Sequence, residues 1–339
     1  MSKIVGFDIG ESSVKMVFFS GRELKKAVRV EMPDAMVSGG RILSMDAMAD
    51  FLHDAAKGHG IPLTGAALVV PSSEVYTRAI TMPAMTEQQL SYNLPYEFRD
   101  FLTEEKSHYF FDYSVRRIQR DENGHPKEME LFACAMLKST VEAYRAMFRR
   151  AGFRLRVLTP TECAYGAVLS VYLRRTGEEA DEKDRCIVSV GHSGTHLYIF
   201  HGAEFDSRRQ IDIGGRQLDE QIAEHCGVDV HLAGSYKLSD YNGVLESDYA
   251  HELYSRLAVE IVKAVNFYNY NNRDRELRDV YIAGGGGGME ALLRTVSEET
   301  KLVLHRADEL LAPSVQMDEP WLYLRAIGGV NEGIRGGLE

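Results

Sequence analysis

The first thirty residues alternate apolar with small or polar positions in the way that β-strands do. Residues 4–9 and 14–19 are β-rich runs, and Gly10 to Ser13 lie between them. This pattern predicts a β-hairpin. A third strand is predicted around residues 25–30, after a turn at Gly21.

Apolar residues at helical spacing predict the helices that follow. Residues 45–57 carry one apolar stripe, which is typical of a helix packed on a core. Thr86 and Gln89 form a capping-box pattern before a second apolar stripe, and Ser139 and Glu142 repeat it. Because each pair can satisfy free N–H groups at a helix start, both pairs predict helix N-termini.

Strands and helices between residues 66 and 155 predict a small α+β subdomain inserted into a larger lobe. Its strands are expected near 66–70, 75–82, 110–116 and 129–137. We assign residues 1–65 to the start of the first lobe, 66–155 to the inserted subdomain and 156–180 to a connecting helix of the first lobe. The second lobe is predicted over 185–312, and residues 313–339 are expected to return to the first lobe.

A charged run at residues 178–184 predicts a solvated linker between the lobes. Beyond it the opening pattern returns, because residues 5–24 align without a gap on residues 186–205, with five identities in twenty. Two related lobes that each open with a strand-turn-strand explain this repeat. Chance similarity between two hairpins of common residues is the alternative.

The two hairpin turns are candidate phosphate-binding loops. Glycine permits the required backbone angles and places no side chain in the way, so consecutive N–H groups and hydroxyls can face a phosphate. The candidate ligands are Gly10, Ser12, Ser13 and Lys15 in the first turn, and Gly191, Ser193 and Gly194 in the second.

Asp8 precedes the first turn by two residues and is a candidate contact of a hydrated Mg²⁺ ion. Mg²⁺ keeps most of its waters and prefers carboxylate oxygens. Lys15, on the outgoing strand, would offset phosphate charge. Solvated hairpins in unrelated proteins carry the same Asp-x-Gly pattern, and that alternative stays open.

Two further glycine-rich segments are candidate ligand contacts. Gly284, Gly285 and Gly286 open a run of five glycines between a predicted strand and a helix, where backbone can approach a flat ligand or a phosphate. A flexible loop is the alternative. Gly215 and Arg216 follow another strand end and could lie under a ribose, or could form a close-packing turn.

Composition excludes several classes of protein. A formal net charge of −11 argues against nucleic-acid binding. The four cysteines lie far apart and form no zinc pattern, as expected in a reduced, cytoplasmic compartment. No run of eighteen apolar residues and no signal-peptide core occurs, so neither export nor a membrane span is predicted.

In their order and spacing, these pieces resemble the actin-like ATPase superfamily. FDIGESSVK and SVGHSGTHL resemble its phosphate loops, IAGGGGGMEALL its adenosine loop, and LTPTECAYGAV and EPWLYLRAIGGV its two connecting helices. Within that superfamily the chain resembles, almost end to end, the family of type IV pilus assembly proteins called PilM. VVPSSEVYTRAITMPAMTEQQL, LPYEFRDFL and IDIGGRQLDEQIA carry this resemblance.

The resemblance implies an α/β, actin-like ATPase fold of two duplicated lobes around a nucleotide cleft, with a small α+β subdomain inserted in the first lobe. It also implies ATP and Mg²⁺ as cofactors and a cytoplasmic location at the inner face of the membrane. The implied partner is the N-terminal tail of a PilN-like membrane protein, held between the inserted subdomain and the main lobe. Association of the chain with copies of itself stays open.

Two departures from the family pattern bear on catalysis. Ser189 stands where the second phosphate loop normally has an aspartate, and Thr159 and Thr161 stand where carboxylates are frequent. Glu162 is then the nearest candidate acid, although an exposed helix position is its commoner role. We therefore assign no catalytic residue and expect slow or absent ATP hydrolysis. His192 and His196, in or beside the second loop, could contact phosphate, but we favour a solvated turn histidine and a strand-surface histidine, respectively.

Two other functions stay open as alternatives. A small-molecule kinase of the superfamily would need a carboxylate at the position of Ser189. An FtsA-like filament former would carry a C-terminal amphipathic membrane helix, and residues 331–339 are expected to be too rich in glycine for one.

Overall fold

Two five-stranded sheets with the same strand order organise the chain. The computed structural model describes residues 3–180 and 182–336, so Asp181 of the predicted linker and residues 337–339 lie outside the described part. The strands are β1 (Lys3–Ile9), β2 (Ser13–Ser20), β3 (Glu23–Glu31), β4 (Val37–Ser38), β5 (Arg41–Ile42), β6 (Gly65–Val70), β7 (Tyr76–Pro83), β8 (Tyr109–Arg120), β9 (Pro126–Leu137), β10 (Arg154–Pro160), β11 (Asp184–Val190), β12 (Thr195–His201), β13 (Glu204–Ile211), β14 (Asp279–Gly284) and β15 (Val303–Arg306). The helices are α1 (Met45–Gly58), α2 (Glu87–Glu97), α3 (Lys138–Arg150), α4 (Thr161–Thr176), α5 (Gly215–Cys226), α6 (Val230–Ser239), α7 (Asp248–Asn271), α8 (Glu290–Glu299) and α9 (Leu324–Arg335).

The first sheet has the order β10-β6-β1-β2-β3, and the second has the order β15-β14-β11-β12-β13. In each sheet an antiparallel meander opens the lobe, and two strands then add in parallel beside its first strand. Parallel neighbours need long crossover connections, which helices supply here. The predicted α/β fold of two duplicated lobes is confirmed.

The two opening hairpins correspond residue by residue. In the first, Asp8 lies opposite Lys15, and in the second, Ser189 lies opposite His196. These pairs are separated along the chain by the same 181 positions that align the two sequence segments. The common register favours a true internal repeat over a chance alignment.

Helices α4 and α9 lie between the two sheets. Phe19 of the first sheet, Phe200 of the second and Leu169 of α4 belong to one buried apolar cluster, which α9 also joins. Gly328 of α9 faces the Ala164 backbone of α4 so closely that a Cβ atom would not fit. Close packing of these two helices therefore depends on a glycine at this position.

A separate three-stranded sheet, in the order β7-β9-β8, forms a small subdomain with α2. Its apolar cluster includes Ile80, Leu90, Phe98 and Leu131. The range predicted for this insertion, residues 66–155, is too wide at both ends. Strand β6 pairs with β1 in the first sheet, and α3 packs on α1 within the core of that lobe. We propose residues 71–137 as the insertion.

Two local predictions also need correction. The Ser139–Glu142 capping box does not form, because α3 begins at Lys138, two residues earlier than a Ser139 cap requires, directly after β9 and with no side-chain cap. The charged run, predicted to be solvated, is buried at its last residue. The Asp184 carboxylate is fully buried, 2.8 Å from His201 Nδ1 and 3.1 Å from the Tyr268 hydroxyl. By contrast, the Thr86–Gln89 capping box is present as predicted.

In the part of the chain that the structure describes, none of the helices combines the length and the apolar character needed to cross a lipid bilayer. Residues 331–335, predicted to be unsuited to an amphipathic membrane helix, form the last turns of α9. Gly333 among them and Val330 before them are buried against the rest of the protein.

Candidate functional site

The first predicted phosphate loop is the turn between β1 and β2. The Gly10 N–H donates to the Ser13 carbonyl oxygen at 3.1 Å, and the Lys15 ammonium donates to the same oxygen at 3.4 Å. Lys15 therefore folds back over the turn instead of extending away from it. Ser12 is exposed and Ser13 is buried, so Ser12 is the more accessible hydroxyl.

The second predicted phosphate loop, between β11 and β12, repeats this turn. The Gly191 N–H donates to the Gly194 carbonyl at 2.9 Å, as Gly10 does to Ser13. The first turn of α5 attaches to the loop, because the N–H groups of Gly215 and Arg216 donate to the carbonyls of Gly191 and His192 at 2.9 and 2.8 Å. The structure thus joins two of the predicted ligand segments into one unit.

Other predicted ligands in this unit face outward. Ser193 is exposed at the tip of the second loop. The Arg216 guanidinium points along the surface of α5, where its Nε lies 3.6 Å from Glu220. Only the backbone of Arg216, and not its side chain, therefore belongs to the loop region.

A buried ion pair occupies the position predicted to contact a metal. Arg325 Nη2 lies 3.0 Å from Asp8 Oδ2, and the Asp8 side chain is only 4% exposed. Arg325 is in the first turn of α9, so the pair connects α9 to β1. Burial opposes the charge of the guanidinium, but the attraction of Asp8 outweighs burial and raises the pKa of Arg325.

Across the cleft, Ser189 has the position in its hairpin that Asp8 has in the first. Ser189 is buried, and the Tyr165 hydroxyl lies near it. The Tyr165 ring packs against Tyr198 with ring centroids 5.1 Å apart, and burial raises the pKa of both tyrosines. A serine and two neutral phenols bring no negative charge to this side of the cleft.

Two basic residues facing the ion pair have lowered pKa values. Burial lowers the pKa of Lys15 to about 8, where Asp8 attracts the ammonium and Arg325 repels it. Burial and the repulsion of Arg325 and Arg208 lower the pKa of His196 to about 4. His196 is therefore neutral at pH 7, and its interpretation as a solvated strand histidine is wrong.

A second buried ion pair lies under the second loop. The Lys237 ammonium of α6 is 2.7 Å from the Asp219 carboxylate and donates to the Gly215 carbonyl at 3.1 Å. His192 Nδ1 lies 3.8 Å from the same carboxylate, and burial lowers the pKa of His192. Sequence patterns singled out neither Lys237 nor Asp219, because each becomes part of the site only through the packing of α6 on α5.

Glu162 forms a third buried ion pair, which bridges the two lobes. Its side chain is 1% exposed, so the expectation of an exposed helix residue is wrong. Glu162 Oε1 accepts from Ser72 Oγ, after β6, and from Arg208 Nη1, on β13, at 3.0 Å each. Its place in the first turn of α4 favours the negative charge.

These three pairs have one feature in common: each buried carboxylate is paired with a base from another element. A hydrated Mg²⁺ ion at Asp8 would have to share the carboxylate with the Arg325 guanidinium, and the equivalent position of the other hairpin holds the uncharged Ser189. Within residues 3–180 and 182–336, no group of three or more His, Cys, Asp and Glu side chains is arranged to hold a metal. The residues present do not fit the predicted Mg²⁺ contact at Asp8.

The five-glycine segment is packed against the protein itself. It forms a 3₁₀ turn, and Gly284 begins it with φ +75°, a conformation that favours glycine. A Cβ atom at Gly286 would lie 2.6 Å from Val190, and one at Gly288 would lie 2.8 Å from the Trp321 ring. The flexible-loop alternative is therefore wrong, while a ligand contact at residues 284–286 stays a prediction.

The family model for the type IV pilus assembly protein PilM matches residues 6–318. A solved PilM–PilN type IV pilus biogenesis complex is similar to the chain, with a TM-score of 0.77 and 17% identity over 98% of both chains.

Two other solved structures share the fold. The ethanolamine utilization protein EutJ from Carboxydothermus hydrogenoformans has a TM-score of 0.59 and 13% identity, over 97% of this chain and 89% of that chain. MreB5 of Spiroplasma citri bound to ADP has a TM-score of 0.50 and 12% identity over 99% of both. At these identities the similarity shows the fold alone, which is the predicted actin-like ATPase fold.

Proposed function

The chain belongs to the type IV pilus assembly protein PilM family, and from this premise we propose that it is a scaffold of type IV pilus assembly. It docks the N-terminal tail of a PilN-like membrane protein and is thereby held at the inner face of the cytoplasmic membrane. The observation that carries the proposal is the family match over residues 6–318. The similarity to a PilM–PilN complex over 98% of both chains supports the same partner.

The scaffold binds ATP between the two hairpin turns in this proposal. Gly10, Ser12, Ser13 and Lys15 contact the phosphates from one side, and Gly191, Ser193 and Gly194 from the other. Gly215 and the backbone of Arg216 contact the ribose, and Gly284, Gly285 and Gly286 contact the base. The similarity to a structure bound to ADP supports a nucleotide here, and the bound state sets the angle between the lobes.

Hydrolysis is slow or absent in this proposal. Phosphoryl transfer depends on a group that positions the attacking water and on stabilisation of developing charge. Ser189 lacks the carboxylate that could orient that water, and Glu162 is held by Ser72 and Arg208. Turnover of several ATP per second by the purified chain would contradict this part of the proposal.

Docking is tested by pull-down with a synthetic peptide that carries the N-terminal tail of a PilN-like membrane protein from the same organism. A peptide of the same composition in scrambled order is the control. We expect the tail peptide, and not the scrambled one, to retain the chain in at least one of three states: with ATP, with ADP or without nucleotide. Failure to retain it in all three states would overturn the scaffold proposal.

A further inference from the structure

The buried pair of Asp8 and Arg325 changes how a polyphosphate would be neutralised in the cleft. We infer that Arg325 takes the place of the divalent cation, so that this chain binds ATP without a metal ion. The inference rests on the proposed binding of ATP between the hairpin turns. It concerns a residue that belongs to neither predicted phosphate loop.

The position of Arg325 is fixed by the fold. Its guanidinium lies 3.0 Å from Asp8 Oδ2, inside the cleft, while its side chain keeps 30% exposure. Ala326 and Ile327 beside it are buried, and Gly328 locks α9 against α4. A ligand can therefore reach Arg325, but α9 cannot move away without unpacking the centre of the protein.

The opposite side of the cleft provides no carboxylate ligand for a divalent ion at the position equivalent to Asp8. Mg²⁺ is bound in nucleotide sites by one or two carboxylates together with phosphate oxygens. Ser189 leaves the second hairpin without a carboxylate at the position equivalent to Asp8, and Asp8 is occupied by a tethered cation. A metal ion at Asp8 would lie beside a guanidinium that cannot diffuse away, and the two positive charges would repel each other.

The Arg325 guanidinium can neutralise and orient the phosphate groups without a metal ion. It presents five N–H donors in a planar fork and pairs with phosphate oxygens at two points, as a metal ion bridges them. Its Nη2 lies 3.0 Å from Asp8 Oδ2. Together with the Lys15 ammonium, Arg325 places two positive groups beside the Asp8 carboxylate, a local excess that suits an anionic ligand.

Isothermal titration calorimetry with ATP tests the inference in the full-length chain. Titrations are made in excess EDTA and in excess MgCl₂ at pH 7. We expect the dissociation constant in EDTA to be less than about threefold weaker than in MgCl₂. Binding that is threefold or more tighter with Mg²⁺ would overturn the inference.

Two substitutions test Arg325 directly. Arg325→Gln should weaken ATP binding in EDTA by about tenfold or more, and MgCl₂ should restore part of it, because Asp8 is then free to hold the ion. Arg325→Lys should retain more of the metal-free affinity than Arg325→Gln. Arg335→Gln removes an exposed arginine from the last turn of the same helix and should change neither titration.

If Arg325→Gln bound ATP in EDTA as tightly as the wild-type chain does, the inference would also be overturned. Thermal melting shows whether this variant folds. If it does not fold, the ATP affinities of the wild-type chain in EDTA and in MgCl₂ still test the inference. Binding that requires Mg²⁺ contradicts only the inference and leaves ATP binding in place. The absence of ATP binding in both buffers contradicts ATP binding as well, while the peptide pull-down tests docking separately.

Discussion

Asp8 and Ser189 occupy the same position in the two hairpins, opposite Lys15 and His196 respectively. The backbone of the cleft is therefore nearly symmetric, while its charges are not. The first hairpin contributes a carboxylate and an ammonium, which Arg325 joins. The second contributes a hydroxyl and an imidazole that is neutral at pH 7, so at these paired positions the charged side chains lie on the first hairpin.

Lys15 is expected to cost stability. Lys15→Met should raise the free energy of unfolding at pH 7 by about 1 kcal/mol, because burial disfavours the ammonium in the folded state. Since the pKa of Lys15 falls from 10.5 to about 8 on folding, the cost is complete below pH 8 and disappears as pH rises to 10.5. Urea unfolding at pH 7 and pH 10 measures the difference between variant and wild type, with the exposed Lys26→Met as control. A difference that grows with pH would contradict this.

ATP affinity should depend on the same ionisation. Above about pH 8 the free protein has a neutral Lys15 and must take up a proton to bind phosphate, so affinity falls by up to about tenfold per pH unit. Calorimetry in buffers of different ionisation enthalpy should detect this proton uptake at pH 8.5. In Lys15→Met the uptake should vanish, and an unchanged uptake would assign it to another group.

The Glu162–Arg208 pair should couple the two lobes energetically. Arg208→Met leaves a buried carboxylate unpaired and should destabilise the protein by about 2–3 kcal/mol, somewhat less than for a fully buried pair because Arg208 is 37% exposed. Adding Glu162→Gln should restore about 1–2 kcal/mol of this loss. Denaturant midpoints of the two single variants and the double variant measure the coupling, and additive effects would show that none exists.

The Trp321 ring should leave no room for a side chain at position 288, which is therefore expected to require glycine. Gly288→Ala places a methyl group 2.8 Å from that ring and should cost about 1–2 kcal/mol of stability. In a Trp321→Leu background the same change should cost much less. Gly58→Ala, where a Cβ atom meets nothing within 4 Å, is the matched control in thermal melting. An equal loss in both backgrounds would show that the ring is not the cause.

Thiol reactivity should identify one accessible cysteine. Burial raises the pKa of Cys134 to about 12 and also raises the pKa of Cys163 and Cys186, whereas Cys226 is exposed. Because the thiolate is the reactive form, Ellman's reagent at pH 8 should modify one thiol quickly in the folded protein. Cys226→Ser should abolish this fast phase, and a remaining fast phase would indicate local opening around a buried cysteine.

Features that depend on neighbouring residues could be predicted from the sequence. The two hairpins follow from alternation and turn residues, and the Thr86–Gln89 box follows from spacing alone. The same local rule failed at Ser139 and Glu142, because β9 runs straight into α3 and leaves no separate cap position. The limits of the insertion were misplaced because β6 is assigned to its sheet by pairing with β1, which no local pattern records.

The residues that define the charge of the cleft could not be predicted in this way. Arg325 lies in the segment that resembles the second connecting helix, but that resemblance gave it no role; Lys237 lies in a helix that no motif singled out, and Glu162 resembled an ordinary helix-surface residue. Periodicity and turn chemistry are properties of a few adjacent residues, so the amino-acid order alone sufficed for the hairpins and the repeat, while the actin-like fold was predicted through the family resemblance. The partner of a buried carboxylate is chosen by which elements pack together, and for Asp8, Asp219 and Glu162 that choice arose only when α9, α6 and β13 met the loops in three dimensions.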